Sequence, residues 1–430
     1  MLEILKGVKR ICLFVCLFSF SNIFTIQASQ ILIPMDADNQ TQHLKAYGVV
    51  YHVLASGVEA DWLLNYGGGA FAFQHIDALE KLCKIRGVNY YILPDAQYTK
   101  IITEVSDPDF NGDIIRLEKP PKIAVYTPNN KLPWDDAVTM ALTFAEIPYD
   151  KVYDDELLSD KLLDYDWLHL HHEDFTGQFG KFWVSYKNTE WYQEDVATQT
   201  AMAKKHGFTK VSQLKLAVAK KIRDFVLGGG YLFAMCTATD TYDIALAAEG
   251  TDICDEPFDG DPISPNAQQQ LDFTKCFAFK NFNIMPQPHI YEFSNIDNGP
   301  YTMRQIEKQA DYFTLFTFSA KFDPVPAMLT QNHTSTVKGF MGQTTAFRKE
   351  VLKSNVIVMG ENRSLNEARY IHGTYGKGTF TFYGGHDPED YQHMVGDPPT
   401  DLELHPTSPG YRLILNNLLF PAAKKKPQKT

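Results

Sequence analysis

Between residues 122 and 240, short apolar runs alternate with longer stretches of helical periodicity, and this alternation restricts the fold more than any other feature. The runs 122–126 (KIAVY), 150–153, 166–170 and 231–235 (YLFAM) have the length and composition of buried strands. Between them, 133–145, 155–163, 193–206 and 211–227 repeat apolar residues at three- and four-residue spacing. Strand and helix in strict turn predict an α/β chain with a doubly wound, mostly parallel sheet. In such sheets ligands gather outside the carboxyl ends of the strands. That rim is expected to carry Thr127, the cluster His171, His172, Glu173 and Asp174, and Cys236.

The stretch 225–240, FVLGGGYLFAMCTATD, stands out on that rim. A helix stops at three glycines, a strand follows, and it ends on Cys236. Thr237, Ala238 and Thr239 are small enough to turn sharply into the next helix. This is the order a nucleophile elbow requires: the turn lifts the side chain above the sheet, and amides at the helix start can hold a thiolate or an oxyanion. The competing reading is an inert thiol, since free cysteine is among the most buried residue types.

The His171–Asp174 cluster has two readings as well. Strand alternation puts His169 and His171 on one face and His172 on the other. Imidazoles and carboxylates together suit zinc, but the spacing His-Glu-x-x-His is absent, so lining of the pocket rim is favoured and no metal is assigned. The acidic loop at 252–261 lacks the ligand order of a calcium hand. Gly67, Gly68 and Gly69 lack the Lys-Ser/Thr of a phosphate loop and the spacing of a dinucleotide site, so they are read as a turn. No cofactor is expected.

The rest of the chain frames this core. Residues 1–28 have a basic start (Lys6, Lys9, Arg10), an apolar centre at 11–20 and a small residue, Ala28, at their end; this is the pattern of a cleaved export signal. It predicts a periplasmic or extracellular protein with no membrane span in the mature chain. A small N-terminal α/β domain is expected over 29–116 and the main domain over 122–420. The main domain carries a β-rich insertion at about 250–356, with β segments at 277–279, 312–320 and 327–329. A hairpin at 368–383 turns on Gly376-Lys377-Gly378, an amphipathic helix covers 408–419, and 421–430 is a basic tail. Of the six cysteines, Cys83, Cys236, Cys254 and Cys276 follow the signal, and a Cys254–Cys276 bridge is compatible with export. A net charge of −12 argues against nucleic acid as a partner.

Two segments carry a resemblance. The cysteine elbow, followed much later by the Gly-Lys-Gly hairpin leading to His386, Asp387, Pro388 and Glu389, resembles the class I glutamine amidotransferase-like fold, which includes trehalose-utilisation-like domains. That fold is flavodoxin-like in its sheet. The resemblance implies Cys236 as nucleophile, His386 as general base, and Glu389 or Asp387 as the acid that orients the base. The chain departs from the family pattern: Ala234 and Ala238 replace the elbow glycines, and Asp387 separates His386 from Pro388-Glu389. The segments HLHHEDFTGQ, GFMGQTTAF and YGGHDPEDYQH further resemble an exported bacterial family that carries the label asparagine synthetase B. Leu2 stands where such synthetases place a nucleophilic cysteine, and the Ser-Gly-Gly-x-Asp-Ser loop for ATP is absent, so the label does not translate into that chemistry.

Two functions are therefore expected in competition. One is a cysteine-dependent amide hydrolase, in which His386 activates Cys236 and the Thr237 end of the helix holds the oxyanion. The other is a non-catalytic domain that binds carbohydrate or peptide along Trp167, Phe175, Phe179, Phe182, Trp183 and Trp191. Neither the substrate nor the oligomeric state is readable.

Overall fold

The computed structural model describes residues 29–130, 132–298, 306–392 and 394–424; the stretch 1–28 expected to be an export signal, His393 and the end of the basic tail lie outside them. The first sheet holds β1 (Ser29–Ile33), β2 (Ala60–Leu64), β3 (Ala70–Gln74), β4 (Tyr91–Pro94) and β5 (Asp113–Leu117) in the order β4-β1-β3-β2-β5. Every pairing is antiparallel. Strand β3 exists because the three glycines reverse the chain directly onto β2. Gly68 sits at φ 71°, and a methyl group there would come within 2.4 Å of the Met35 carbonyl oxygen, so only glycine fits. The helix Asp95–Ser106 covers one face through Tyr98, Ile101 and Ile102. The helix His43–Ala55 is buried against β2 of that sheet and the helices Ala137–Phe144 and Pro409–Leu419.

The second sheet contains β6 (Ile123–Tyr126), β7 (Asp150–Val152), β8 (Trp167–Leu170), β9 (Tyr231–Met235), β10 (Tyr312–Leu315), β11 (Thr336–Lys338), β12 (Phe347–Arg348), β13 (Ile357–Asn362), β14 (Glu367–Tyr375) and β15 (Gly378–Tyr383). Its order is β11-β10-β13-β14-β15-β9-β8-β6-β7, with β12 on β14. The run β15-β9-β8-β6-β7 is parallel. Counted along the chain, these five strands lie in the order 2-1-3-4-5. From β15 outward the sheet becomes antiparallel. The expected mostly parallel sheet is thus a mixed one. The cause is local: the turn between Tyr375 and Gly378 is two residues long, and so short a connection can join only antiparallel neighbours.

The β segments expected in 250–356 divide differently. Of the 312–320 stretch, Tyr312–Leu315 is β10, which extends the main sheet, while Ala327–Leu329 belongs to the helix Pro324–Leu329. Phe279 makes a single bridge, to Leu352, with no strand around it. The helix Pro409–Leu419, expected to be amphipathic, is buried at every residue from Gly410 to Leu419. It packs on the helices His43–Ala55 and Ala137–Phe144 and so has no face toward solvent. Cys254 and Cys276 are free; Cys254 donates to the Thr176 carbonyl (3.1 Å) and Cys276 to the Asp243 carbonyl (3.3 Å). Among the described residues, no helix is long and apolar enough to cross a membrane.

Candidate functional site at the switch point of the sheet

The connections from β6 leave the parallel run in both directions, to β7 on one side and across to β8 and β9 on the other. The crevice at such a switch point is where doubly wound sheets bind ligands. Here it is walled by the loop after β6, the end of β8, Cys236 after β9 and His386 after β15.

Cys236 ends β9 with φ 48° and ψ −136°, a backbone conformation costly for any residue with a Cβ. The helix Thr237–Ala247 starts at the next residue. The strained geometry is held from several sides. The Cys236 N–H donates to the Gly385 carbonyl (3.1 Å), the Ala238 N–H to the His171 carbonyl (3.0 Å), and the Gly385 N–H to the Thr344 carbonyl (2.8 Å). Thr239 Oγ1 donates back to the Cys236 carbonyl at 2.6 Å. Alanines replace the elbow glycines of the resemblance, yet the turn forms because Ala234 and Ala238 are both fully buried and small.

His386 hydrogen-bonds the Cys236 thiol, and its Nε2 lies 3.5 Å from Asp135 Oδ1. Burial alone would raise the thiol; the hydrogen bond and charge of His386 outweigh it and hold Cys236 below its ordinary range. Burial likewise works against the imidazolium, but Asp135 and Cys236 together push His386 up to about 9. Each group thus favours the charged form of the other.

The carboxylate beside His386 is neither of the two that the resemblance implies. Glu389 faces His405, with Oε2 3.2 Å from Nδ1. Asp387 is fully buried, and its Oδ1 accepts from the Glu389 N–H at 2.8 Å. With Asp387 standing between His386 and Pro388, Glu389 lies against His405, and Asp135 lies beside His386. Asp135 lies just before the helix Ala137–Phe144, inside the stretch read from sequence as helical. The signal for a loop was Asp136, which caps that helix by accepting from the Thr139 N–H at 2.8 Å.

His171 and His172 both enter the crevice. Their rings stack at 4.0 Å between centroids, and each lies 4.7 Å from His386. The expected alternation fails because β8 ends at Leu170, and beyond a strand the side chains no longer alternate faces. His171 Nδ1 and His169 Nε2 lie 3.3 and 3.2 Å from the same oxygen, Asp136 Oδ2. Glu173 accepts from the His171 N–H (3.0 Å), and burial pushes its carboxyl up to about 8. Asp174 serves its own loop, accepting from the Thr176 N–H (2.7 Å) and the Gly180 N–H (3.0 Å).

Thr237 follows Cys236 and donates to Gln343 Oε1 (2.7 Å); Gln343 in turn donates to the Gly180 carbonyl (2.7 Å). Gly342, Gln343 and Thr344 thus close the crevice from above, a role that the segment GFMGQTTAF did not reveal by residue type. At Gly342 a methyl group would come within 3.0 Å of Cys236 Sγ and 2.8 Å of the His386 nitrogen. Beside the crevice a recess is lined by Trp134, His172, Glu173, Phe179, Phe182 and Asp195. Trp167 and Phe175 take no part in it. Both are fully buried, stacked on Phe233 and Tyr126.

No protein-family model matches the chain, and no curated protein does. Among solved structures, it is similar to a cytoplasmic protein from Salmonella typhimurium at 10% identity and TM-score 0.35, covering 71% of this chain and 100% of that one. A second cytoplasmic protein, from Salmonella typhimurium LT2, matches at 13% identity and TM-score 0.34 over 70% and 100%. A GH42 β-galactosidase from G. stearothermophilus matches at 11% identity and TM-score 0.25, over 62% of this chain and 28% of that one. At such scores none of these likenesses bears on function, and the chemistry of the crevice is read from its own geometry.

Proposed function

We propose that this is an exported, cysteine-dependent amide hydrolase on a class I glutamine amidotransferase-like sheet. The observation that carries the reading is Cys236 itself: a thiol in a strained φ 48° turn at the start of a helix, hydrogen-bonded to a histidine that an aspartate backs. Strain of this kind persists where the surroundings over-determine it, and such sites cluster where chemistry is done. The 2-1-3-4-5 order of the parallel strands agrees with the flavodoxin-like sheet of that family.

In the proposed reaction, the Cys236 sulfur attacks the amide carbon and a C–S bond forms. The carbonyl oxygen becomes an oxyanion facing the Thr237 N–H, the first donor after the nucleophile. The imidazolium of His386 gives its proton to the leaving nitrogen, the C–N bond breaks, and an amine or ammonia departs. Water then attacks the thioester, giving one proton to His386, and the carboxylic acid and thiolate are regenerated. Asp135 orients the ring throughout.

The test is alkylation of the mature protein with iodoacetamide, read by peptide mass spectrometry, beside an amide-hydrolysis screen. Cys236 is expected to react at least about tenfold faster than Cys83, Cys254 and Cys276, and to slow by a similar factor in His386→Ala. Cys236 reacting no faster than the other thiols would overturn the reading. A second reading, binding of carbohydrate or peptide without catalysis, is favoured by the aromatic wall of the recess, where Trp134 lies 5.4 Å from Phe182 and 5.3 Å from Trp191. It predicts quenching of tryptophan fluorescence by glycans or peptides that survives Cys236→Ser.

A further inference from the structure

We infer that the cavity where the two sheets meet, floored by His333 with Arg412 behind it, binds a small polyhydroxylated carboxylate of the sugar-acid class. Its walls come from both halves of the chain. Asn65 follows β2 and Asn111 precedes β5, while Phe316 and Phe318 follow β10 and His333 precedes β11. The cavity holds about 390 Å³, within the range of about 300–1,000 Å³ typical of small-molecule sites, which favour such junctions. It shares no residue with the crevice of Cys236 and His386.

Arg412 indicates the charge of the ligand. Its side chain is 0% exposed, and a guanidinium is almost never fully buried unless an acid pairs with it. Yet every partner of Arg412 is neutral. It donates to the Tyr47 hydroxyl (3.1 Å), the Met35 carbonyl (2.8 Å), the Gly68 carbonyl and His333 Nδ1 (3.4 Å). Among the described residues no carboxylate forms an ion pair with it. Gly68 and His333 also line the cavity, whose lining includes no Asp, Glu, Lys or Arg. The field of Arg412 therefore meets only neutral groups on its way to the cavity.

His333 passes that charge on to the ligand. Since its Nδ1 accepts the Arg412 N–H, the ring proton sits on Nε2. Burial and the charge of Arg412 hold the ring neutral, bringing it from its usual 6.5 down to about 4. Stacking on His43, at 4.2 Å between centroids, fixes the ring. Among the described residues the Nε2 side makes no hydrogen bond. A carboxylate in the cavity can accept that N–H, in a charge-assisted bond that Arg412 polarises from across the ring.

The remaining walls suit the rest of such a molecule. The hydroxyls of Thr317 and Ser335, at the rim, have no partner among the described residues. Phe316 and Phe318, with ring centroids 6.4 Å apart, offer apolar surface to the C–H groups of a sugar. The shape is set before binding. The Asn65 N–H donates to Gln331 Oε1 and Gln331 Nε2 to Asn65 Oδ1, both at 2.9 Å, which braces one wall against the other.

The experiment is calorimetric titration of the purified protein with galacturonate, glucuronate and gluconate, and with galactose and glucose as uncharged counterparts. Saturable binding of one molecule per chain is expected for at least one acid, at least about tenfold tighter than for either neutral sugar. His333→Phe keeps a ring on His43 but removes the N–H, and should weaken acid binding by about tenfold or more. Thr317→Val, at the exposed rim, should weaken it by about threefold. Cys236→Ser should bind as the wild type does, which keeps the result separate from the hydrolase reading. No saturable binding of any of the three acids, or equal affinity for the neutral sugars, would overturn the inference. So would acid binding unchanged in His333→Phe or, should that variant fail to fold, in Thr317→Val.

Discussion

At the scale of single residues, the site depends on positions that no catalytic motif would single out. Gly342 is one. A methyl group there would press on both Cys236 Sγ and the His386 backbone nitrogen, and displacements of this size cost reactivity steeply. Gly342→Ala is expected to slow Cys236 alkylation by about tenfold or more while the protein stays folded by circular dichroism. Unchanged alkylation would mean that the loop moves aside at no cost. The identity of the orienting acid is a second residue-scale question. Asp135→Asn is expected to lower thiol reactivity by about tenfold or more, because the imidazolium loses its counter-charge. Glu389→Gln should leave it within about twofold, since Glu389 faces His405. The opposite ranking would restore the acid that the resemblance implies.

At the scale of elements, the parallel half of the sheet is tied to its helices by buried charge. Lys215, on the helix Val211–Gly228, lies 3.1 Å from both oxygens of Asp154, on the helix Asp154–Leu158, and 2.9 Å from the hydroxyl of Tyr126 at the end of β6. Lys215 and Asp154 are 2% and 0% exposed. Breaking such a pair strands a charge, at about 3–5 kcal/mol, whereas replacing both partners by apolar groups is often close to neutral. Lys215→Met is thus expected to lower the melting temperature by several degrees, and the double variant Lys215→Met with Asp154→Leu to recover most of the loss. Equal losses in the single and double variants would show that the network acts through packing alone. The helix that follows the elbow is anchored differently: Asp243 accepts the N–H groups of Phe277, Ala278 and Phe279 at 2.6, 2.7 and 3.0 Å.

At the scale of the whole molecule, the two sheets share one core, and Arg412 of the fully buried helix joins them. It donates to the Met35 carbonyl at 2.8 Å and to the Gly68 carbonyl. A buried histidine on the hairpin adds a pH dependence to this core. Burial pushes His372 from its usual 6.5 down to about 4. Between those values the unfolded chain binds a proton that the folded chain does not. The stability that His372 contributes is therefore complete above about pH 6.5 and falls as the pH drops toward 4, by up to about 1.4 kcal/mol per unit. His372→Gln should flatten the fall in melting temperature between pH 6.5 and 4.5 relative to wild type. Parallel curves for the two proteins would refute the assignment.

Much of this architecture is local in origin and was legible in the residues alone. Runs such as KIAVY and YLFAM are short and apolar, as buried strands are, and the chain turns after Cys236 because Thr237, Ala238 and Thr239 are small. The hairpin at Gly376-Lys377 is equally local. The remainder depends on which distant segments meet. Asp135 and Asp136 read as the start of a helix until the crevice places them behind His386 and His171. His172 read as facing away until the end of β8 freed it from alternation. The resemblance implies Glu389 or Asp387 beside His386, whereas Glu389 lies against His405 and Asp135 lies beside the His386 ring. A side chain's direction beyond the end of a strand or helix is set by contacts far away in the chain, and those contacts exist only once the sheet has closed.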